Sequence, residues 1–278
     1  MFPGEASHPK RVNRRVKWLA FAALLLLSTG LARAHDFWIE ASTFHPWPGQ
    51  FVMVGLRVGQ DFAGEPVRRY SPDIAAFFVR QNGTDEDIEG SDGINPAGVM
   101  RANGQATAVI GYASTGTDIE LPPGPFEDYL RLYGLDDALA ERNRRGEHTK
   151  PGKERFYRYA KALLAGRTTA ADVRKPLGLA YEIVPDDDPT TQLMPFHGHI
   201  LYDGKPLAGA LVEALLHGEP SIRLKAYSDA QGAFSFELPR TGVWLIKSVH
   251  MVRASYFSNE DWDSRWASLV FETPASRP

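Results

Sequence analysis

Cysteine is absent from the 278-residue chain. Its absence excludes disulfides, thiol nucleophiles, thiolate metal sites and a lipidated cysteine together. Basic charge is not in excess. There are 31 Lys and Arg against 34 Asp and Glu, a net charge of −3, which leaves no footprint for a nucleic-acid binder. The common catalytic strings are also missing: there is no G-x-S-x-G, H-E-x-x-H, phosphate-binding P-loop or G-x-G-x-x-G. That lowers the expectation of an enzyme without excluding one, because a catalytic triad is spatial. No run after residue 34 approaches the roughly 20 apolar residues a membrane helix needs. No internal repeat or low-complexity segment is present. The hydrophobic fraction, 43%, is that of a globular chain.

The first 34 residues read as an address. Arg11, Arg14, Arg15 and Lys17 form a positive region, followed by the apolar stretch Trp18–Leu27 and an A-x-A pattern at Ala32 and Ala34. This is the pattern of a secretory signal peptide cut after Ala34. Lys17 interrupts the positions expected to be apolar after a twin-arginine pair, so Sec export is the better reading. Removing residues 1–34 takes away six basic residues and one acidic residue, leaving a net charge of −8. The expected product is a soluble, acidic periplasmic protein with no transmembrane segment.

Residues 35–120 read as strands and turns. Phe51–Gly59, Ile74–Arg80 and Gln105–Ser114 are of strand length, and Pro, Gly, Asn and Asp clusters separate them. Residues 121–192 read as a helical insertion and linker. Phe126, Leu130 and Tyr133 have helical spacing, as do Phe156, Tyr159, Ala160, Leu163 and Leu164. The basic cluster Arg142, Arg144, Arg145, His148 and Lys150 between them reads as a solvated loop, and Pro185–Thr191 as a solvated linker. Residues 193–272 return to short alternating strands, and 273–278 form a tail. The expected fold is mainly β: two immunoglobulin-like or transthyretin-like sandwiches joined by the short helical insertion.

Cleavage after Ala34 would make His35 the first residue. Its α-amino group, with an ordinary pKa near 8, and its imidazole would then close a chelate ring. A third nitrogen would give a tetragonal set suited to copper(II) or nickel(II). His250, on the alternating strand Val243–His250, is the preferred partner, and Asp36 would complete or orient the site. His197 and His199 share one face of an extended segment and form a second, weaker metal pair. His45, His148 and His217 read as surface residues. Asp261, beside Trp262 and Trp266, would act as an acceptor that orients a metal-bound imidazole. The two tryptophans themselves read first as core.

The ordered set A-H-D-F-W-I-E (Ala34–Glu40), Arg57–Arg69, D-G-I-N-P-A-G, E-R-F-Y-R-Y-A-K-A-L-L, G-L-A-Y-E-I-V-P, G-K-P-L-A-G-A-L-V-E-A-L and V-W-L-I-K-S-V-H-M with D-W-D-S-R-W-A-S-L-V-F-E resembles domain-of-unknown-function family 4198. That family is also described as NikM-like, after a component of nickel uptake systems. The resemblance spans His35 to Glu272. It implies an exported periplasmic β-sandwich protein linked to nickel or cobalt transport, and its motifs fall on His35, Asp36, Phe37, Trp38 and His250. His197 and His199 lie outside those motifs. Without a multispan portion, the chain is expected to be an accessory that handles nickel, cobalt or copper beside a membrane transport component. Two other readings stand beside this one. The first is a non-catalytic envelope or glycan-binding module that uses Trp38, Trp47, Trp262 and Trp266. The second is a copper redox enzyme built on an N-terminal histidine brace.

Overall fold

The computed structural model describes residues 35–169, 171–191 and 195–274. The expected leader, residues 1–34, lies outside them, as do residues 275–278 of the expected tail. The strands in chain order are β1 (Asp36–Ala41), β2 (Phe51–Gln60), β3 (Ala63–Val67), β4 (Ile74–Gln81), β5 (Thr84–Asp87), β6 (Gly98–Arg101), β7 (Ala108–Ser114) and β8 (Thr117–Leu121). Two helices follow, α1 (Pro123–Leu132) and α2 (Asp136–Arg144). Then come β9 (Gly152–Leu164), β10 (Tyr181–Pro185), β11 (Phe196–Tyr202), β12 (Lys205–Pro206), β13 (Leu211–Leu216), β14 (Glu219–Tyr227), β15 (Ala233–Phe236), β16 (Val243–Arg253) and β17 (Trp262–Glu272).

The protein is mainly β and is built in three layers. A nine-stranded central sheet runs β14-β13-β16-β17-β9-β7-β4-β5, with β8 continuing beside β7 along one edge of β9. Every pairing in it is antiparallel except β17 with β9. One face is covered by β1-β2-β3 with β6 on β2, the other by β10-β11-β12 with β15 on β11. Each interface has its own apolar core, and alternate residues of the central strands feed the two cores. On β9, Ala160, Ala162 and Leu164 point to the first core and Leu163 to the second; on β16, Leu245 opposes Trp244 and Ile246. A sheet covered on both faces needs apolar residues at consecutive positions, which accounts for the run L-V-E-A-L-L in β13.

That double burial explains one correction. Phe156–Leu164 carries helical spacing, yet it forms the larger, C-terminal part of β9. A strand buried on both faces loses its polar/apolar alternation, and periodicity alone cannot then separate it from a helix. The central sheet also crosses the boundaries expected at 120 and 193. It takes β4, β5, β7 and β8 from the first stretch, β9 from the middle, and β13, β14, β16 and β17 from the last.

Helix α1 forms where expected. Pro123 sits in its first turn, where the missing N–H costs nothing, and Phe126, Tyr129 and Leu130 face inward. Tyr129 stacks on Trp266 at 6.0 Å and Tyr133 meets it edge-on at 4.7 Å. Gly152 opens β9 beneath the helix, where a Cβ would lie 2.4 Å from the Phe126 ring. The basic cluster is not a solvated loop throughout. Arg142 is buried in α2, donates to the carbonyls of Glu147 and Lys150 at 2.7 Å each, and lies over Phe126 at 4.9 Å. Pro185–Thr191 is likewise docked and not a solvated linker. Asp188 is buried and accepts from Thr107 Oγ1 at 2.6 Å and from the Thr190 amide and hydroxyl at 3.0 and 2.7 Å.

Candidate functional site

The start of β1 is anchored by charge. Lys247 of β16 donates to both carboxylate oxygens of Asp36 at 2.7 Å and lies 3.1 Å from Glu213 of β13. Arg223 and Lys225 of β14 reach Glu213 at 3.0 and 3.2 Å, and Arg223 also pairs with Asp61. Tyr133 hydrogen-bonds with Gln60 and Asp36, and Lys247 sits 4.9 Å over its ring. These groups line a cavity of about 90 Å³. Burial raises the Asp36 pKa, and Lys247 offsets this only in part. Burial pushes Glu213 the same way, but Lys247 and Arg223 outweigh it and hold its pKa below the ordinary value. Asp36 is therefore committed to Lys247, and His35 directly precedes this anchor, half-buried.

His250 lies elsewhere. Lys247 meets Asp36 on the β1 side of the central sheet, whereas His250, three positions along β16, points to the opposite face. There it sits 6.2 Å from the Tyr181 ring and 5.0 Å from that of Tyr202. Burial, its largest influence, lowers its pKa. Asp36 and His250 thus lie on opposite faces of the sheet. Asp261 does not face an imidazole. It lies 3.4 Å from Arg253 and accepts from the Lys153 amide at 3.3 Å.

The weaker pair has the better geometry. His197 and His199 sit at alternate positions of β11, exposed and half-exposed, between the buried Phe196, Gly198 and Ile200. His199 Nδ1 is 2.7 Å from Asp186 Oδ1. The register that pairs Pro185 with Gly198, together with the Asp186 N–H donating to His197 O at 3.0 Å, brings that carboxylate beside the pair. A carboxylate on one ring nitrogen fixes the tautomer and leaves Nε2 as the donor, the usual arrangement behind a metal-bound imidazole. Asp186 was not among the residues singled out from sequence. Its signal there was an acid at the end of a strand that must return beside a His-x-His segment. Among the described residues, no group of three or more His, Cys, Asp or Glu side chains is arranged to hold a metal. His197 and His199 thus present two imidazoles at alternate positions of β11.

The tryptophan platform is not formed. Trp38, Trp262 and Trp266 are buried, and only Trp47 of the four is exposed. The most exposed aromatics among the described residues are Tyr256 and Phe257, at 96% and 93%, in the turn between β16 and β17. No helix among the described residues is long and apolar enough to cross a membrane.

A family model described as a domain of unknown function, DUF4198, matches residues 32–252. No curated protein matches the chain.

Proposed function

The chain belongs to the DUF4198 family, whose description names no activity, and from its donor geometry we propose an exported periplasmic protein that binds and passes on a divalent transition metal. The observation that carries this reading is His199, held by Asp186 at 2.7 Å, two positions from His197 on the same face of β11. Imidazole donors suit nickel, cobalt and copper better than calcium or magnesium. A site with two protein ligands leaves most of the coordination sphere exchangeable, which suits a carrier that delivers its ion to a membrane transport component. His35 is a second, separate donor. Once the leader is removed, its amine and imidazole would chelate an ion beside the β1 anchor. Export is supported by the basic, apolar and A-x-A segments of residues 11–34.

The test begins with expression of the full precursor and the intact mass of the exported product, expected to start at His35. Nickel(II), cobalt(II) and copper(II) are then titrated into the wild type and into His197→Ala, His199→Ala, His35→Ala and His250→Ala. Binding should fall in both β11 variants and persist in His250→Ala. Asp186→Asn should weaken it by about 10–100-fold, and binding should weaken from roughly pH 8 to pH 5 as protons compete for nitrogen. Loss in His35→Ala alone would move the site to the amine chelate. A product starting at His35 that binds none of the three ions would end the metal reading.

A second reading, a non-catalytic envelope interaction module, draws on the exposed Tyr256 and Phe257. Their rings meet edge-on at 5.7 Å in the manner of contact residues at protein surfaces.

A further inference from the structure

A cavity of about 270 Å³ lies between the β1-β2-β3 sheet and the central sheet, and neither the β11 histidines nor the β1 anchor uses it. Its walls are mixed: Trp38, Phe44, Phe62, Val243 and Val270 supply apolar surface, and Glu40, Arg57 and His217 supply polar surface where it opens to solvent. A closed cavity of about 150 Å³ already accepts benzene, so the volume of this open pocket admits a leucine- or phenylalanine-sized group.

The wall is held open by specific backbone. Asp61 and Phe62 form the two-residue turn between β2 and β3 at φ of +54° and +57°. A bulky residue such as Phe62 seldom adopts such angles. The strained turn places the Phe62 ring, 3% exposed, edge-on against Trp38 at 5.3 Å and His217 at 5.2 Å. At Gly64, on the next strand, a Cβ would stand 2.3 Å from the Val58 carbonyl oxygen and 2.8 Å from the Trp38 ring. Only glycine leaves that wall in place.

The mouth carries one charge of each sign. Arg57 Nε and Nη2 reach Glu40 Oε2 at 2.8 and 2.7 Å, and Nη1 contacts the Gly64 carbonyl at 3.4 Å. A guanidinium has five N–H donors, so two remain. Both Glu40 contacts fall on Oε2, which leaves Oε1 for another donor. A simple anion at this mouth would meet the Glu40 charge, and a simple cation that of Arg57. A molecule bearing both charges beside an apolar group satisfies the whole rim.

We propose that this cavity binds a hydrophobic α-amino acid, with its side chain among Trp38, Phe44 and Val270, its carboxylate on Arg57 and its ammonium on Glu40. The probes are L-phenylalanine and L-leucine, set against phenylacetate and phenethylamine, each of which lacks one charge. They are titrated calorimetrically into the exported protein, with Trp38 contributing a fluorescence signal. Saturable binding of both amino acids is expected, weaker by about tenfold or more for each single-charge analogue, for Arg57→Ala and for Glu40→Gln. These rim residues are partly exposed, so an unchanged melting temperature in the variants shows that the fold is intact. Val270→Phe should fill the cavity and abolish binding. Absence of binding by both amino acids, equal affinity for the single-charge analogues, or full affinity in Arg57→Ala would overturn the proposal.

Discussion

Lys161 and Glu182 show how a buried charge is made tolerable in this protein. Both are about 1% exposed and 2.8 Å apart. Lys161 also donates to the Ile183 carbonyl at 2.9 Å. Glu182 accepts the backbone N–H groups of Leu177, Gly178 and Leu179 at 2.7, 3.1 and 3.2 Å. Burial drives the Lys161 pKa down and Glu182 pulls it back up. Glu182→Gln should destabilise the protein by about 3–5 kcal/mol in urea denaturation, because Lys161 would be left uncompensated. Many buried pairs can be replaced by apolar residues without loss. Here Lys161→Met with Glu182→Leu should not restore stability, since three backbone donors would lose their acceptor. Nothing in the sequence pairs these two residues: they lie on β9 and β10 and meet only across two layers.

At the scale of elements, the junction of β9, β17 and α1 holds a protonation site. Glu154 is fully buried on β9 and accepts from the Tyr129 hydroxyl at 3.0 Å and from Ser264 Oγ, while its Oε2 has no partner among the described residues. Burial, opposed in part by the Ser264 and Tyr129 hydrogen bonds, raises its pKa from 4.5 to about 7. A carboxyl whose folded-state pKa is raised binds its proton more tightly in the folded chain. Its contribution to stability is therefore complete below the unfolded pKa, near 4.5, and is lost as pH rises through about 7. The slope in that window is at most about 1.4 kcal/mol per pH unit. Urea midpoints between pH 5 and 8 should fall in the wild type, and Glu154→Gln should remove this component. An identical pH slope in both proteins would place the proton elsewhere. Helix α1 itself was readable from Phe126, Leu130 and Tyr133, because a helix covered on one face keeps its stripe. The helix α2 was not, because its interior is Asp-, Glu- and Arg-rich and only Ala138 and Arg142 are buried.

For the whole molecule, the shared central sheet decides cooperativity. Strands β7 and β17 occupy the two edges of β9, so neither outer layer has a complete core without strands from both ends of the chain. The folded body should unfold in a single calorimetric transition, with van't Hoff and calorimetric enthalpies in agreement. Residues 35–120 alone should fail to give a stable fold by circular dichroism. Two resolved transitions would mean that the layers are independent.

The sequence by itself determined the local features. These are the β-rich content, strands such as β2, β4 and β16, the first helix, and the tight turns at Asn82-Gly83 and Asp203-Gly204, whose positive φ angles suit Asn, Asp and Gly. It also put His197 and His199 on one face, since alternation within a strand is a local property. Tertiary structure alone decided the rest. It made Phe156–Leu164 a strand, because burial on both faces erases the pattern that separates strand from helix. It divided the Asp36 anchor from His250, because the packing of β1 sets Asp36 against Lys247, on the face of β16 away from His250. It brought Asp186 to His199 and Arg57 to the mouth of the cavity beneath β1, because both meetings depend on pairing between strands, which no short stretch of sequence encodes.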